Sequence, residues 1–291
     1  MLLNFTDAPM TTQTTPNLSK SPDANTLRPG AGVLLPLLSD PDDCVASLAL
    51  EQLAALPEAE ELVHANQDTD DLAFRRRIHQ LSKMLEQKRL FDRFVNGYMH
   101  RRLDPWEALV LIDKLYDPKS STLYVKELST QIFEQYPTTS RTDLGTLAEF
   151  MRSQNLCAAP SPWLSVGYYL IGDILETSQA APLPLCILAR ELARQHGFLT
   201  AICLHSGRFC LFDGNDTMVN PMEDWKFIHN VKPGEFHTCA PGECIRLVLA
   251  QLVATSTMMW DCYDVHLFCR LYQAVNQISG HPMPYPIGDT K

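Results

Sequence analysis

Residues 181–197, APLPLCILARELARQHG, followed by residues 198–220, FLTAICLHSGRFCLFDGNDTMVN, contain the change of period that decides the fold. The first half reads as a helix. Pro182 and Pro184 suit its start, where a missing N–H costs little, and Gly197 suits its stop. Arg190, Arg194 and His196 gather near the C-terminal end, the sign of charge that a helix C-terminus favours. Leu185, Leu188, Ala189, Leu192 and Ala193 fall on one arc, so this face packs, with Cys186 at the border of the arc in the first turn. After Gly197 the text turns to short strand-like runs, Leu199–His205 and Arg208–Asp213. A thiol in the first turn of a helix, facing strands that follow at once, is an arrangement used by nucleophilic cysteines.

Composition bounds the rest. The chain has 291 residues, 45% hydrophobic and 20% charged, as expected of a globular protein with room for one large domain or two small ones. A formal net charge of −10 excludes nucleic acid and anionic membrane as the main partner. The basic run Arg75-Arg76-Arg77 lies in a helical pattern and reads as a solvated face. Nine cysteines are scattered rather than framed, MLLNFTDAPM has no cationic n-region, and no run nears the roughly 20 apolar residues of a membrane span. A cytoplasmic protein with reduced thiols is the expectation. No G-x-G-x-x-G, G-K-[ST], G-x-S-x-G or H-E-x-x-H occurs, and no cofactor is expected.

Residues 1–30, rich in Thr, Pro, Asn and Ser, read as a disordered tail, and the proline-rich residues 278–291 as a flexible one. Between them the pattern is mostly helical. Leu34, Leu35, Leu37 and Leu38 end a short helix, Ser39–Asp42 is a turn with N-cap residues, and Val45, Leu48, Ala49 and Leu53 continue at helical spacing. This stretch resembles a HEAT repeat, and residues 31–102 are expected to form a HEAT-like helical region. Asp104-Pro105 marks another helix start, followed by helices over 123–136 and 144–151. Trp163–Leu175 reads as a mostly apolar helix or helix-like segment, interrupted by Gly167 and Gly172, and Glu243–Thr255 and Asp261–Gln277 as two more helices.

A Pro-bearing helix start, a helix ending in ARQHG, two strands with the second opening at SGRF, and a later Asn-Pro dipeptide follow helices of the type EALVLIDKLYDPKSSTLYVKELSTQIF. That order resembles the bacterial SirB-type branch of the transglutaminase-like superfamily, over about residues 33–275. The resemblance implies an α+β, predominantly helical chain whose residues 103–277 hold a papain-like core of helix plus antiparallel sheet, with C-terminal helices. It also implies a cysteine nucleophile, a histidine on a following strand and an aspartate on the next. Cys186 stands in the nucleophile's position, eleven residues before Gly197, but Arg208 replaces the histidine and Asn220 the aspartate.

The replacement matters chemically. A cysteine needs a base to take its proton or a cation to hold the thiolate. Arginine can do the second but cannot shuttle protons near neutral pH. His205 is the nearest substitute base; strand alternation sets it and Arg208 on opposite faces unless a bulge at Ser206-Gly207 corrects the phase. His229 and His237 lie in the loop beyond. First-turn N–H groups around Cys186 are the candidate oxyanion donors, reduced by the two prolines.

Cys203 and Cys210 read as core residues. HTCAPGEC (237–244) lacks C-x-x-C spacing and a second pair, and the one-face series Cys262, His266, Cys269 reads as a buried stripe, so no metal is expected. The expectation is a non-catalytic transglutaminase-like protein that works as a protein-interaction or scaffold module. The alternatives are a peptidase, amidase or acyltransferase using Cys186, and a cleft in which Arg208 holds a small anion. A protein partner is expected, with its identity and the oligomeric state left open.

Overall fold

The computed structural model describes residues 30–117, 122–137 and 143–277. The expected tails, 1–30 and 278–291, lie outside the described residues, Gly30 apart. The chain is α+β and mostly helical, with a five-stranded antiparallel sheet. It divides into two compact units, Met1–Ser82 and Lys83–Lys291. The boundary expected between residues 102 and 103 falls just before a helix start, not at this division.

The first unit contains α1 (Ala31–Leu34), which tightens into a 3-10 turn through Ser39, then α2 (Asp43–Ala54), α3 (Ala59–Asn66) and the opening turns of α4 (Leu72–Met99). The Ser39–Asp42 turn works as its residues dictate. Asp42 is the N-cap of α2, and its carboxylate accepts from the Cys44 N–H at 2.8 Å. Asp71 does the same for α4, accepting from Ala73 at 2.9 Å and Phe74 at 3.2 Å. Leu38, Leu53, Ile78 and Leu81 are buried here, and Arg77 pairs with Asp43.

The second unit carries the remainder of α4, then α5 (Pro105–Tyr116), α6 (Thr122–Glu134) and α7 (Leu144–Ser153). Asp104 caps α5 by accepting from the Trp106 N–H at 2.9 Å, with Pro105 at the first helical position. A short parallel pair, β1 (Cys157–Ala158) and β2 (Gln179–Ala180), brackets α8 (Ile171–Thr177). The interrupted helical segment expected over 163–175 takes the form of two 3-10 turns, Pro162–Leu164 and Val166–Tyr169, followed by α8. Extended backbone at Ser165 and Leu170 breaks the run. Two contacts fix the break. The Asp113 carboxylate, from α5, accepts the Gly172 N–H at 3.0 Å, and Asp173 Oδ2 lies 2.5 Å from where a Cβ on Gly167 would be.

The organising helix is α9 (Pro182–Gln195). It stops in a full Schellman motif: Phe198 N–H donates to Ala193 O at 2.9 Å and Gly197 N–H to Arg194 O at 3.2 Å, with Gly197 at φ +76°. One apolar arc was expected, yet nearly the whole helix is buried, Ile187 and Glu191 included. It is sandwiched by β3 (Ala201–His205) and β4 (Arg208–Phe212) on one side and by α5 and α7 on others, and a helix packed all round becomes apolar all round. Glu191 is neutralised in place by Arg194, in a bidentate pair at 2.7 Å, and its carboxylate also accepts from the Gln195 side-chain N–H.

The sheet continues with β5 (Met218–Asn220), β6 (Lys226–Ile228) and β7 (Phe236–Thr238), in the order β6-β5-β4-β3-β7. Ile202, Leu204, Phe209, Leu211 and Val219 share a core cluster with the apolar side chains of α9. Cys203, Cys210, Phe212 and Met218 form a separate cluster with Val231 and Phe236. These two sets alternate along the strands, so each marks one face of the sheet. Last come α10 (Pro241–Met259) and α11 (Cys262–Asn276), packed on each other. No helix among the described residues is long and apolar enough to cross a membrane.

Candidate functional site

Cys186 is the fifth residue of α9, which begins at Pro182, and so opens the second turn of the helix rather than lying in its first. The displacement has two chemical results. The helix-end field that would favour a thiolate falls off within the first turn. The expected oxyanion donors are also largely spent: residues 182 and 184 are prolines, and the Leu185 N–H donates to Ala181 O at 3.2 Å.

The side chain of Cys186 is fully buried. Burial, reinforced by the neighbouring thiols of Cys210, Cys203, Cys244 and Cys239, pushes its pKa well above the ordinary cysteine value. A thiol that ionises late is a poor nucleophile near neutral pH. A cavity of about 190 Å³ beside α9 is lined by Pro105, Arg190, Thr200, Ile202, Cys239 and Cys244, and Cys186 does not line it.

Arg208 is half exposed and its guanidinium pairs with Glu223. Its strand register places it with Cys210, on the sheet face opposite α9. His205 and Arg208 were expected on opposite faces, but they are cross-strand partners. Ser206 and Gly207 form a two-residue hairpin turn at φ +48° and +77°, the left-handed pair of a type I′ turn, and such a turn puts its flanking residues side by side. His205 therefore lies on the Arg208 face too, half-buried and in register with Phe236 of β7.

Asn220 is buried, and its Oδ1 accepts the Met222 N–H at 3.0 Å, closing the turn that follows β5. Alternation places it with Met218 and away from α9. Of the four residues of the sequence-derived site, His205, Arg208 and Asn220 thus lie on one sheet, on the face away from α9, which carries Cys186, and the four do not meet at one point. His229 stacks on Phe227, ring centroids 5.6 Å apart, and His237 turns to Glu243.

The cysteines separate as their surroundings differ. Cys203 and Cys210 are core residues, as their sequence context implies. Along α11, Cys262 and His266 are exposed while Cys269 is buried, so the series is not a single buried stripe. HTCAPGEC behaves differently from its reading. His237 Nε2 lies 2.9 Å from both carboxylate oxygens of Glu243, and these groups gather with the buried Cys239 Sγ, all within 4.8 Å of one another. A search for paired C-x-x-C spacing passes over this group. The signal that could have found it is Ala240-Pro241-Gly242-Glu243, a helix start whose third residue reaches back over the residues before it.

Comparison with known proteins yields no match to any family model, characterised protein or solved structure.

Proposed function

We propose that this chain is a non-catalytic protein of the SirB-type transglutaminase-like class that acts by contact with another protein. The observation that carries the reading is the state of Cys186, fully buried, with its thiol pushed up by burial and by other thiols. Acyl transfer by cysteine needs an accessible sulfur and a base within hydrogen-bond reach. Here the groups in the His and Asp positions, Arg208 and Asn220, serve a surface ion pair and a turn. The reading in which Arg208 captures a small anion is weaker, since Glu223 already occupies the guanidinium. Apolar surface is on offer for a protein contact: Met258, Met259, Trp260 and Tyr263 are all exposed at the α10–α11 corner, Trp260 at 79%.

The test is site-resolved iodoacetamide labelling of the native protein from pH 6 to 9, read by mass spectrometry. Exposed Cys44 and Cys262 should label in the native protein, and Cys186 only on unfolding. A Cys186 that labels faster than Cys44 below pH 7 would overturn the reading. So would Cys186→Ala abolishing the protein's cellular effect while the fold survives.

A further inference from the structure

The geometry points to a zinc-class metal site formed by His237, Cys239 and Glu243, at the junction of β7 and α10. This goes beyond the interaction reading, which makes no use of these residues.

The donor set is what a borderline-soft divalent ion takes. It offers an imidazole nitrogen, a thiolate sulfur and a carboxylate oxygen, and their ligand atoms lie within 4.8 Å of one another without rearrangement of the backbone. Ligands of a tetrahedral zinc ion sit about 2.0–2.3 Å from the metal and so under about 4 Å from each other; closing on an ion requires only small side-chain rotations. Charge also balances, since one thiolate, one carboxylate and a neutral imidazole offset two positive charges.

Three structural features hold the donors in place. His237 lies on the edge strand β7, paired in register with Leu204 of its neighbour β3. The backbone N–H of Cys239 donates to Ile202 O at 2.9 Å, which anchors the next donor to the same strand. Glu243 is the third residue of the 19-residue helix α10, and its carboxylate accepts the Ala240 N–H at 3.3 Å, which turns it back toward β7. Cys244, the fourth residue of α10, stands on the sulfur side of the cluster as an outer-shell group. Both cysteines open onto the 190 Å³ cavity beside α9, so solvent reaches the sulfur side of the cluster. With three protein ligands, the fourth position falls to water. Without metal, His237 and Glu243 simply pair with each other.

Cobalt(II) is the probe, because a thiolate ligand gives it a near-ultraviolet charge-transfer band and four-coordination gives it intense visible bands. The full-length protein, stripped with chelator, should bind one cobalt ion per chain with both signatures, and zinc should displace it. Cys239→Ser should abolish the charge-transfer band. Cys244→Ala should keep the band but weaken binding about 10-fold, the scale of a lost outer-shell contact. Glu243→Gln preserves the hydrogen bond to the Ala240 N–H, so the fold should stay and cobalt affinity fall. This variant separates ligation from helix capping. Cys44→Ser and Cys262→Ser should change nothing. The site is refuted by absence of a 1:1 thiolate band, by its survival in Cys239→Ser, by its loss in Cys262→Ser, or by unchanged affinity in folded Glu243→Gln.

Discussion

Two buried aromatic side chains with polar tips show how much a single partner decides. Trp225 is completely buried, and its indole N–H donates to Leu156 O at 2.7 Å, tying the loop after β5 to the segment after α7. Tyr136 is almost as buried, in edge contact with Phe150 at 5.1 Å and against His196, yet its hydroxyl has no hydrogen-bond partner among the described residues. Removing a paired group strands its partner, whereas removing an unpaired one removes only a desolvation cost. Trp225→Phe should therefore destabilise by about 1–3 kcal/mol, while Tyr136→Phe should be neutral or stabilise by about 1 kcal/mol. Urea unfolding of both variants checks the contrast, and a Tyr136→Phe loss as large as that of Trp225→Phe would contradict it. Cys186 obeys the same logic. Its place near a helix start was legible in the sequence, but its chemistry depends on what surrounds it, and those surroundings include thiols of β3, β4 and α10.

At the scale of elements, starts and stops were the legible part. Asp42, Asp104 and Asp261 all cap the helices their sequence context announces, and Gly197 ends α9 by the bonds a left-handed residue makes possible. These are local effects, written in three or four consecutive residues. The sequence announced interruptions in the helical run over 163–175 but not their places, Ser165 and Leu170, nor the bond from the Gly172 N–H to Asp113, which no local propensity encodes. Strands β5, β6 and β7, of three residues each, are too short to show a period. The pairing of His205 with Arg208 was not legible for a related reason. Two-residue alternation holds along one strand, but across a hairpin it is the turn that sets the phase. The Ser206-Gly207 turn thus fixes which residues share a face. Gly207→Ala, forced to φ +77°, should cost about 1–2 kcal/mol, and Ser206→Asn should be tolerated or slightly stabilising, since Asn-Gly is the favoured pair there. Thermal melts of the two variants are the check; an unchanged melt for Gly207→Ala would mean that the turn is not under this constraint.

Across the second unit, the buried thiols act together on stability. Burial raises Cys186 well above the ordinary 9.0, Cys203 to about 12 and Cys210 to about 11. Below pH 9 these thiols are neutral in both folded and unfolded chains, and the stability they contribute is fully present. Above pH 9 the unfolded chain releases its protons while the folded one holds them. The unfolded state then binds fewer protons, and stability falls with rising pH until the folded thiols ionise in turn. Each group forfeits about 1 kcal/mol by pH 10, or about 3 kcal/mol for the three, a large share of the usual 5–15 kcal/mol. Tyr136, which burial raises to about 12, adds the same trend above pH 10. Tm should hold steady between pH 7.5 and 8.5 and drop by roughly 10 °C by pH 10, at the 2–4 °C per kcal/mol typical of a domain this size. Circular dichroism melts of reduced protein across that range test it. A Cys203→Ala, Cys210→Ala double variant should start less stable, because it loses buried volume, and should then decline more gently with pH. If its slope above pH 9 matched that of the parent chain, the buried thiols would not be the cause.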